Sequence, residues 1–187
     1  MEQHDLLRYA VEAFEGLRMD YVVTGSMAAA FFGHPRYARD IDMVVDVSPD
    51  RLSELLQAFP TDEFDINEAK ARQAVQRRGR FQVLYPSTGA RLDLRIADKS
   101  PFTRSRFARA RRIEPFPEFG AVFDSVEDII LEKMNSYRKT KMPRHLKDIT
   151  GILETSGEML DYIYLQHWID RLGLDATWDL VGDRIRN

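Results

Sequence analysis

The chain has 187 residues and a formal net charge of −3, with 44% hydrophobic and 30% charged residues, which is the composition of a folded globular protein rather than a disordered one. It has no cysteine, which excludes disulfides, thiolate metal sites and thiol nucleophiles, and its slight negative charge gives no reason to expect DNA as a partner. It shows neither a secretory signal pattern nor an apolar run of about 18 residues, so we expect a cytoplasmic protein with no membrane partner.

The first part of the sequence predicts strands that alternate with helices. Apolar residues at helical spacing predict a helix that ends near Gly16, and the next segment, YVVTG, is typical of a short strand. The alanine-rich segment SMAAAFFG predicts a helix that stops near Gly33, and RDIDMVVDV predicts a strand. Ser48 followed by Pro49 is typical of a helix start, so another helix is expected over PDRLSELLQAF.

The second part changes character along its length. We predict a helix over Phe64–Gln76, followed by two strands, RFQVLYP and ARLDLRIA. The arginine-rich segment Arg104–Arg112 is predicted to be a connection, and EPFPEFG after it is interrupted by proline. From Ser125 onward the pattern is helical. These elements predict an α+β fold, with a mixed sheet of four or five strands flanked by helices over residues 1–123 and a C-terminal helical part over 124–187.

Two acids, Asp40 and Asp42, lie inside an apolar run that is predicted to be a strand. Because alternate side chains of a strand share a face, both point away from Ile41 and Met43 and lie roughly 6.6 Å apart along the strand. Like charges this close raise each other's pKa unless a cation lies between them, and magnesium prefers such oxygen ligands. The spacing favours a metal site, with a solvated acid pair as the ordinary alternative. Asp46 shares the face, but its place at the strand end favours a turn role.

A third carboxylate is expected beside the first two. In ARLDLRIA, Leu92 and Leu94 form the buried face, which leaves Asp93 on the opposite face with Arg91 and Arg95. Asp93 is therefore the candidate that would complete a two-metal site for phosphoryl displacement. It could equally be half of a surface ion pair with either arginine.

Gly25 and Ser26 come directly after a predicted strand and directly before a predicted helix. Backbone N–H groups and the positive end of a helix dipole would make this turn a cradle for a triphosphate, and serine would add a hydroxyl donor. The same pair is also an ordinary helix start with Ser26 as its cap.

These elements together resemble a known signature. The segment VTGSMAAAFFGHPRYARDIDMVV is similar to that of the DNA polymerase β-type nucleotidyltransferase superfamily, hydrophobic-Gly-[Gly/Ser] followed by Asp-hydrophobic-[Asp/Glu]-hydrophobic. GHPRYARDIDMV resembles the Gly-x-x-Arg-x-Thr-x-Asp-hydrophobic-Asp variant of minimal bacterial and archaeal members, including toxins of abortive-infection-type toxin–antitoxin systems. Arg36 matches the family arginine, and Ala38 stands where threonine is usual. The resemblance covers residues 20 to 97.

The resemblance extends to the helical part. EDIILEKMNSYRKT and PRHLKDITGIL are similar to the family's lysine-bearing helix followed by Arg-x-x-Lys/Arg-Asp, with Arg144, Lys147 and Asp148 on the second element. Lys133 falls on the apolar stripe of the first helix. Either its stem packs while its ammonium extends to water, or it reaches the nucleotide phosphates. Asp148 either supports catalysis or makes an ion pair that packs the helices.

The resemblance implies a nucleotidyltransferase-like fold and a two-metal site for Mg²⁺ or Mn²⁺. It implies that Asp40, Asp42 and Asp93 are both the catalytic residues and the metal ligands. The implied nucleotide-binding residues are Gly25, Ser26, Arg36, Lys133, Lys147 and Asp148.

Two groups of arginines bear on the acceptor. One comprises Arg104, Arg106, Arg109, Arg111 and Arg112, and the other Arg72, Arg77, Arg78 and Arg80. Arginine suits phosphate recognition, so an RNA acceptor is conceivable, although a solvated charged face is the more common outcome. The four histidines show no ligand spacing, and His34 is the one expected near the site.

The leading hypothesis is a metal-dependent nucleotidyltransferase that moves a nucleoside monophosphate from an NTP to an acceptor hydroxyl on RNA, such as tRNA, or on protein. Pyrophosphate would be released, and a cognate antitoxin is an expected partner if the chain is a toxin. The alternatives are a non-catalytic nucleotide- or partner-binding protein of the same fold and an antibiotic nucleotidyltransferase.

Overall fold

The computed structural model of the chain describes residues 2–36, 38, 40–116 and 119–186. The strands are β1 (Tyr21–Thr24), β2 (Asp40–Val45), β3 (Asp65–Ile66), β4 (Arg80–Tyr85), β5 (Ala90–Ile96), β6 (Arg111–Phe116) and β7 (Phe119–Phe123). The helices are α1 (Gln3–Gly16), α2 (Gly25–Phe32), α3 (Leu52–Gln57), α4 (Glu68–Arg77), α5 (Pro101–Arg109), α6 (Val126–Thr140), α7 (Pro143–Ser156), α8 (Tyr162–Leu172) and α9 (Asp175–Arg186). Short 3₁₀ helices cover Pro49–Arg51 and Gly157–Met159.

The strands form one mixed sheet in the order β3-β4-β5-β2-β1-β7-β6. The central pair, β2 and β5, is parallel, and β2 is antiparallel to β1 on its other side. Ile41, Met43 and Val45 of β2 are buried and belong to the same core cluster as Leu6 and Leu7 of α1. The alternation of β2 therefore gives one face to the core and leaves Asp40 and Asp42 on the other. The predicted fold class, a mixed sheet flanked by helices, is confirmed.

The sheet has more strands than the sequence patterns predicted. Within the described residues it has seven rather than four or five. The predicted helix over Phe64–Gln76 is wrong in its first residues, since Asp65–Ile66 pairs with β4 at the sheet edge. The helix begins only at Glu68, where the side chain of Asn67 accepts a hydrogen bond from the N–H of Lys70. A two-residue edge strand is too short for periodicity to reveal.

The arginine-rich segment is also structured, so its prediction as a connection is wrong. Ser100 caps α5 by accepting from the N–H of Thr103, and Pro101 occupies the first turn, the same signal that Ser48-Pro49 presents. Beyond α5, strands β6 and β7 form a hairpin that adds to the sheet beside β1. The EPFPEFG segment includes residues 117 and 118, which lie outside the described residues.

The helices after β7 pack on the sheet part. Ile129 and Ile130 of α6, Ile149 of α7 and Trp168 of α8 are buried in the same core cluster as the strands. Helix α6 starts where Ser125 accepts from the N–H of Asp128, and α2 packs against both α6 and α7. The division between residues 123 and 124 falls in the connection from β7 to α6 and stays a prediction. In the part of the chain that the structure describes, no helix is long and apolar enough to cross a membrane.

Candidate active site

Three carboxylates lie side by side on the two central strands. Asp40 and Asp42 project from β2, and Asp93 on β5 is the register partner of Asp42 in the parallel pair. All three line one cavity of about 420 Å³, which we call the carboxylate cavity. The three acids that the sequence predicts on one face of their strands therefore line the same cavity.

The carboxylate cavity is bounded by the sheet, α2 and the two helices after β7. Its lining residues are Thr24, Gly25, Ser26, Arg36, Asp40, Asp42, Met43, Arg80, Asp93, Arg95, Glu132, Lys133, Ser136, Thr140, Arg144 and His145.

The surroundings of Asp42 disfavour the ionised form of its carboxyl. Burial raises the pKa of its carboxyl, the charges of Asp93 and Asp40 raise it further, and the N–H of Ser26 and the charge of Lys133 partly oppose this. Asp40 is held differently, since Nε of Arg91 donates to its Oδ1 at 2.7 Å. Asp93 lies 4.0 Å from Nη1 of Arg80. A cation bound beside Asp42 would therefore stabilise its ionised carboxylate.

Gly25 makes the close approach of α2 to Asp42 sterically feasible. Its φ of +70° lies in the left-handed region, and a Cβ at this position would collide with Oδ2 of Asp42. The N–H of Ser26 donates to the same oxygen at 3.3 Å. This N–H is therefore directed at Asp42, whereas the sequence suggested that it would face a phosphate. The hydroxyl of Ser26 remains at the cavity wall.

A cationic cluster forms around that hydroxyl, and we call it the Ser26 cluster: Ser26, Arg36, Lys133 and Asp148. Nη2 of Arg36 donates to Oγ of Ser26 at 2.9 Å, and Nζ of Lys133 lies 3.2 Å from it. Asp148 holds both cations, with a bidentate contact to Arg36 at 2.7 Å for each oxygen and an ion pair of 2.7 Å with Lys133. Because one carboxylate balances two cations, the Ser26 cluster carries a net positive charge at the N-terminal end of α2.

The side chain of Lys133 is only 4% exposed. Its ammonium does not extend to water, so that alternative is wrong. Burial lowers the pKa of Lys133, and Asp148 opposes this. Burial would raise the pKa of Asp148, but hydrogen bonds and charge from Arg36 and Lys133 more than offset it and lower the pKa overall. Asp148 is therefore an ionised anchor for two cations that face the cavity.

Three residues named from the sequence do not line the carboxylate cavity, and one of them, Asp148, is linked to it only through Arg36 and Lys133. Lys147 is exposed and does not line it. His34 is also exposed and lies 3.1 Å from Glu154 instead. Arg144, one turn earlier than Lys147 on α7, does line the cavity.

Glu132 of the cavity wall and its neighbour Arg106 carry no sequence signal that singles them out. Glu132 makes a bidentate contact with Arg95 at 2.8 and 2.9 Å. Burial raises the pKa of Glu132, but the charges of Arg95 and Arg106 outweigh it and lower the pKa to about 2. Arg106 is 2% exposed and makes a bidentate contact with Asp124 at 2.7 and 2.8 Å. Arg106 is therefore structural rather than part of a solvated face.

His145 lines the cavity and has a buried ring nitrogen without a hydrogen-bond partner among the described residues. The residue is 8% exposed, and the nitrogen is Nδ1. Burial and the charges of Lys133 and Arg144 lower its pKa, so the ring is neutral near pH 7. An unpaired buried nitrogen at a cavity wall is suited to a hydrogen bond with a ligand. The spacing of the four histidines in the sequence does not reveal this position of His145.

The donor set fits a hard divalent cation. Asp40, Asp42 and Asp93 offer only carboxylate oxygens, the ligands that magnesium and manganese prefer. Among the described residues no three acid or histidine side chains converge on one point, and Asp40 is turned to Arg91. Burial and the charges of Asp93 and Asp40 raise the pKa of Asp42 by more than the N–H of Ser26 and the charge of Lys133 lower it, so a bound cation would favour the ionised carboxylate. The residues present therefore suit a divalent cation by their chemistry and charge.

Comparison with known proteins rests on structure. No family model matches the chain, and no curated protein matches it in sequence. Among solved structures, the antibiotic-resistance factor ANT(2'')-Ia in solution is similar with a TM-score of 0.61 and 12% identity, covering 95% of this chain and 96% of that one. The lincosamide antibiotic adenylyltransferase LnuA, bound to lincomycin, is similar with a TM-score of 0.56 and 14% identity, covering 81% and 97%.

A third similar structure shows the same fold. An antigenic nucleotidyltransferase-like protein from Paracoccidioides brasiliensis is similar with a TM-score of 0.52 and 20% identity, covering 80% of this chain and 73% of that one. At such identities the likeness shows the fold. The chain therefore has the nucleotidyltransferase fold, and its three carboxylates line the same cavity as Ser26, Arg36 and Lys133.

Proposed function

We propose that the chain is a metal-dependent nucleotidyltransferase that transfers a nucleoside monophosphate from an NTP to an acceptor hydroxyl and releases pyrophosphate. The observation that carries the proposal is that three carboxylates and three members of the Ser26 cluster, Ser26, Arg36 and Lys133, line one cavity. Each alone has an ordinary structural explanation. Together they supply acid ligands for a divalent ion beside a net positive group for a phosphate tail.

The NTP would bind with its β- and γ-phosphates on the Ser26 cluster. Arg36 and Lys133 would donate to phosphate oxygens, and Asp148 would keep both cations oriented toward the cavity. Their hydrogen bonds to Ser26 would be exchanged for stronger ones to the phosphate. Fixing the phosphates in this way presents the α-phosphorus to the carboxylates and supplies positional catalysis.

The chemistry forms one bond and breaks another. The acceptor oxygen bonds to the α-phosphorus, the bond from that phosphorus to the bridging oxygen breaks, and pyrophosphate leaves. Asp93 would accept the proton of the acceptor hydroxyl, while Arg36 and Lys133 would stabilise the charge on the leaving pyrophosphate. Magnesium or manganese held by Asp40, Asp42 and Asp93 would supply Lewis-acid stabilisation of the charge on the reacting oxygens.

The base of the NTP has a candidate contact in His145. The unpaired Nδ1 of this neutral ring would form a hydrogen bond with a base edge or a ribose hydroxyl. Ser136, Thr140 and Arg144 line the same side of the cavity and would complete that wall.

Incubation of the purified chain with each labelled NTP, magnesium or manganese, and separate pools of RNA, protein and small molecules tests the proposal. We expect label on one pool and an equal amount of pyrophosphate. Asp93→Asn should bind the NTP and fail to transfer it. If the wild-type chain binds NTP but labels nothing in any pool, the non-catalytic alternative takes its place.

An antibiotic acceptor forms a separate arm of that experiment. ANT(2'')-Ia is by name an antibiotic-resistance factor and LnuA an antibiotic adenylyltransferase, and both share the fold. Label on an aminoglycoside or a lincosamide would assign this alternative.

A toxin role is the most specific part of the proposal. It is supported by the resemblance of GHPRYARDIDMV to the variant found in toxins. Induced expression should slow the growth of a bacterial host, and Asp42→Asn should not. Unimpaired growth with active transferase would leave the enzyme activity standing and remove the toxin role and the cognate antitoxin.

A further inference from the structure

A second cavity adjoins the carboxylate cavity. It has a volume of about 530 Å³ and lies between the end of β5, α5, α6 and α8. Arg80, Arg95 and Glu132 line both cavities, so the two share a wall. A volume of this size is within the range of small-molecule sites, roughly 300–1,000 Å³. We call it the basic cavity.

Charge distinguishes the basic cavity from an ordinary surface cleft. Among its described lining residues, two are acidic, Asp98 and Glu132, whereas six are cationic: Arg78, Arg80, Arg95, Arg106, Lys139 and Arg171. The carboxylate of Glu132 is taken by Arg95, and that of Asp98 accepts from Ser100 and Thr103. Arg106 is buried and paired with Asp124, and Arg78 is paired with Asp46. Arg80, Lys139 and Arg171 are left with little compensation inside the cavity.

The strand register adds to this excess of positive charge. Arg80 on β4 lies directly opposite Arg95 on β5 in the antiparallel pair. Like charges in this relation destabilise a sheet unless an anion lies between them. Glu132 balances Arg95, but the nearest acid to Arg80 is Asp93 at 4.0 Å, and 64% of the Arg80 side chain is exposed. Arg80 is thus placed to bind an anion.

One wall of the basic cavity is apolar. Pro101, Phe102 and Trp168 line it, and the rings of Phe102 and Trp168 meet edge to face with centroids 5.1 Å apart. The guanidinium of Arg171 lies 5.7 Å from the Trp168 ring centroid. A planar group that enters the cavity would meet an aromatic wall with cations at its rim.

We propose that the basic cavity is the acceptor subsite and that it binds a nucleotide unit, with phosphate on Arg80, Lys139 and Arg171 and the base against Phe102. This rests on the proposed function, because the shared wall places the subsite beside Asp93. Phosphate matches the arginines, and the ring matches the apolar wall. A polycationic acceptor is disfavoured by the same charges.

The position of Arg80 links the two cavities. It contacts Asp93, the acid that would accept the proton, and it lines the basic cavity. An acceptor whose phosphate lies on Arg80 would have its hydroxyl end at the shared wall, directed at the α-phosphorus. Transfer between the cavities then needs no movement of the acceptor out of its subsite.

Binding of a fluorescently labelled single-stranded oligoribonucleotide tests the proposal. Anisotropy is measured with magnesium and a saturating NTP analogue whose α–β bridge is methylene, so that the carboxylate cavity is filled and no transfer occurs. Neutralising two rim cations, Lys139→Gln with Arg171→Gln, should weaken binding about tenfold and make the dependence on salt less steep. Both side chains are exposed, and a thermal melt checks that the fold is kept.

The matched control is Lys70→Gln with Arg72→Gln on α4, which removes the same charge outside both cavities. This control should bind as the wild-type chain does. Equal weakening by both double variants would mean non-specific attraction and overturn the proposal, as would no weakening by either. Competition by tobramycin, or by inorganic phosphate as strongly as by the oligonucleotide, would overturn it too.

The source of the nucleotide is read from a second competitor. If adenosine monophosphate displaces the oligonucleotide with similar affinity, the acceptor is a free nucleotide, and if it does so only weakly, the acceptor is a strand end. Affinity for the NTP analogue is measured separately. Loss of that affinity, or absence of transfer with oligonucleotide binding intact, counts against the proposed function and not against the subsite.

Discussion

Lys133 of α6 and Asp148 of α7 form an ion pair of 2.7 Å in which each side chain is only 4% exposed. The same carboxylate also holds Arg36 through both of its oxygens. The pair therefore joins two consecutive helices and, at the same time, orients the cations of the Ser26 cluster. Its two roles, in stability and in phosphate binding, can be separated by mutation.

Asp148→Asn should destabilise the protein and weaken NTP binding. The change leaves the ammonium of Lys133 buried without a counter-charge, and loss of one partner of a buried pair costs about 3 kcal/mol or more. Urea denaturation measures the free energy of unfolding, and calorimetric titration measures NTP affinity. Glu154→Gln on the same helix is the control, because its carboxylate is exposed and lies outside the cavity.

The double variant Lys133→Met with Asp148→Leu separates the two roles. Apolar replacement of both partners should recover most of the lost stability, since it removes the buried charges together. NTP binding should stay weak, because Lys133 is gone and Arg36 has lost its anchor. Recovery of NTP binding along with stability would contradict the assignment of these cations to the phosphates.

Gly25→Ala should abolish transfer. An alanine here adopts left-handed backbone at a cost of roughly 1–2 kcal/mol, and its Cβ meets Oδ2 of Asp42, so the carboxylate or α2 must shift. The control is Gly89→Ala, whose φ of +74° is similar but whose Cβ would meet nothing within 4 Å. Both variants should lose similar stability from backbone strain, and only the first should lose its transfer rate. Equal activity in the two would show that Gly25 serves the turn alone.

The period of a strand was enough to predict which face of its strand each acid occupies. In β2 and β5 every second residue is buried, so Asp40, Asp42 and Asp93 had to share the other face. That Asp42 and Asp93 are register partners depends on which strands pair, which the local sequence does not determine. The local pattern therefore gives the face of each acid, and the sheet order gives their proximity.

The partners of the buried charges could not be predicted in the same way. Helical periodicity placed Lys133 on an inward stripe, but its contact with Asp148 depends on how α6 and α7 pack. Arg106 has four arginine neighbours of similar sequence context, and only its position opposite Asp124 makes it the buried member. Such contacts are set by long-range packing, which the local spacing of residues in the sequence does not determine.

Asp42→Asn should reduce transfer by about a thousandfold or more, because a central carboxylate ligand is lost and several kcal/mol of stabilisation goes with it. The fold should be kept or become more stable. Burial and the charges of Asp93 and Asp40 raise the pKa of Asp42, and a neutral side chain relieves that repulsion. Single-turnover transfer and a thermal melt measure the two effects. Asp46→Asn on the exposed end of the strand should change neither, and a substantial rate in Asp42→Asn would contradict the mechanism.

Asp128 gives the stability a pH dependence of known sign. Burial and the charge of Asp124 raise the pKa of Asp128 from 3.8 to about 6, although Tyr164 and Ser125 donate to it. The folded chain thus binds this proton more tightly than the unfolded chain does. The contribution of Asp128 to the free energy of unfolding is largest below about pH 4, falls as the pH rises toward 6 and is constant above that.

Asp128→Asn should remove this fall and raise the stability at pH 8 by up to about 3 kcal/mol, less whatever the hydrogen bonds of Tyr164 and Ser125 lose. Urea denaturation of both proteins between pH 4 and pH 8 measures the difference, which cancels the titration of all other groups. Asp179→Asn, at an exposed position on α9, is the control and should follow the wild-type curve. A variant less stable than the wild-type chain at every pH would mean that the ionised carboxylate stabilises the junction of α6 and α8 through its hydrogen bonds.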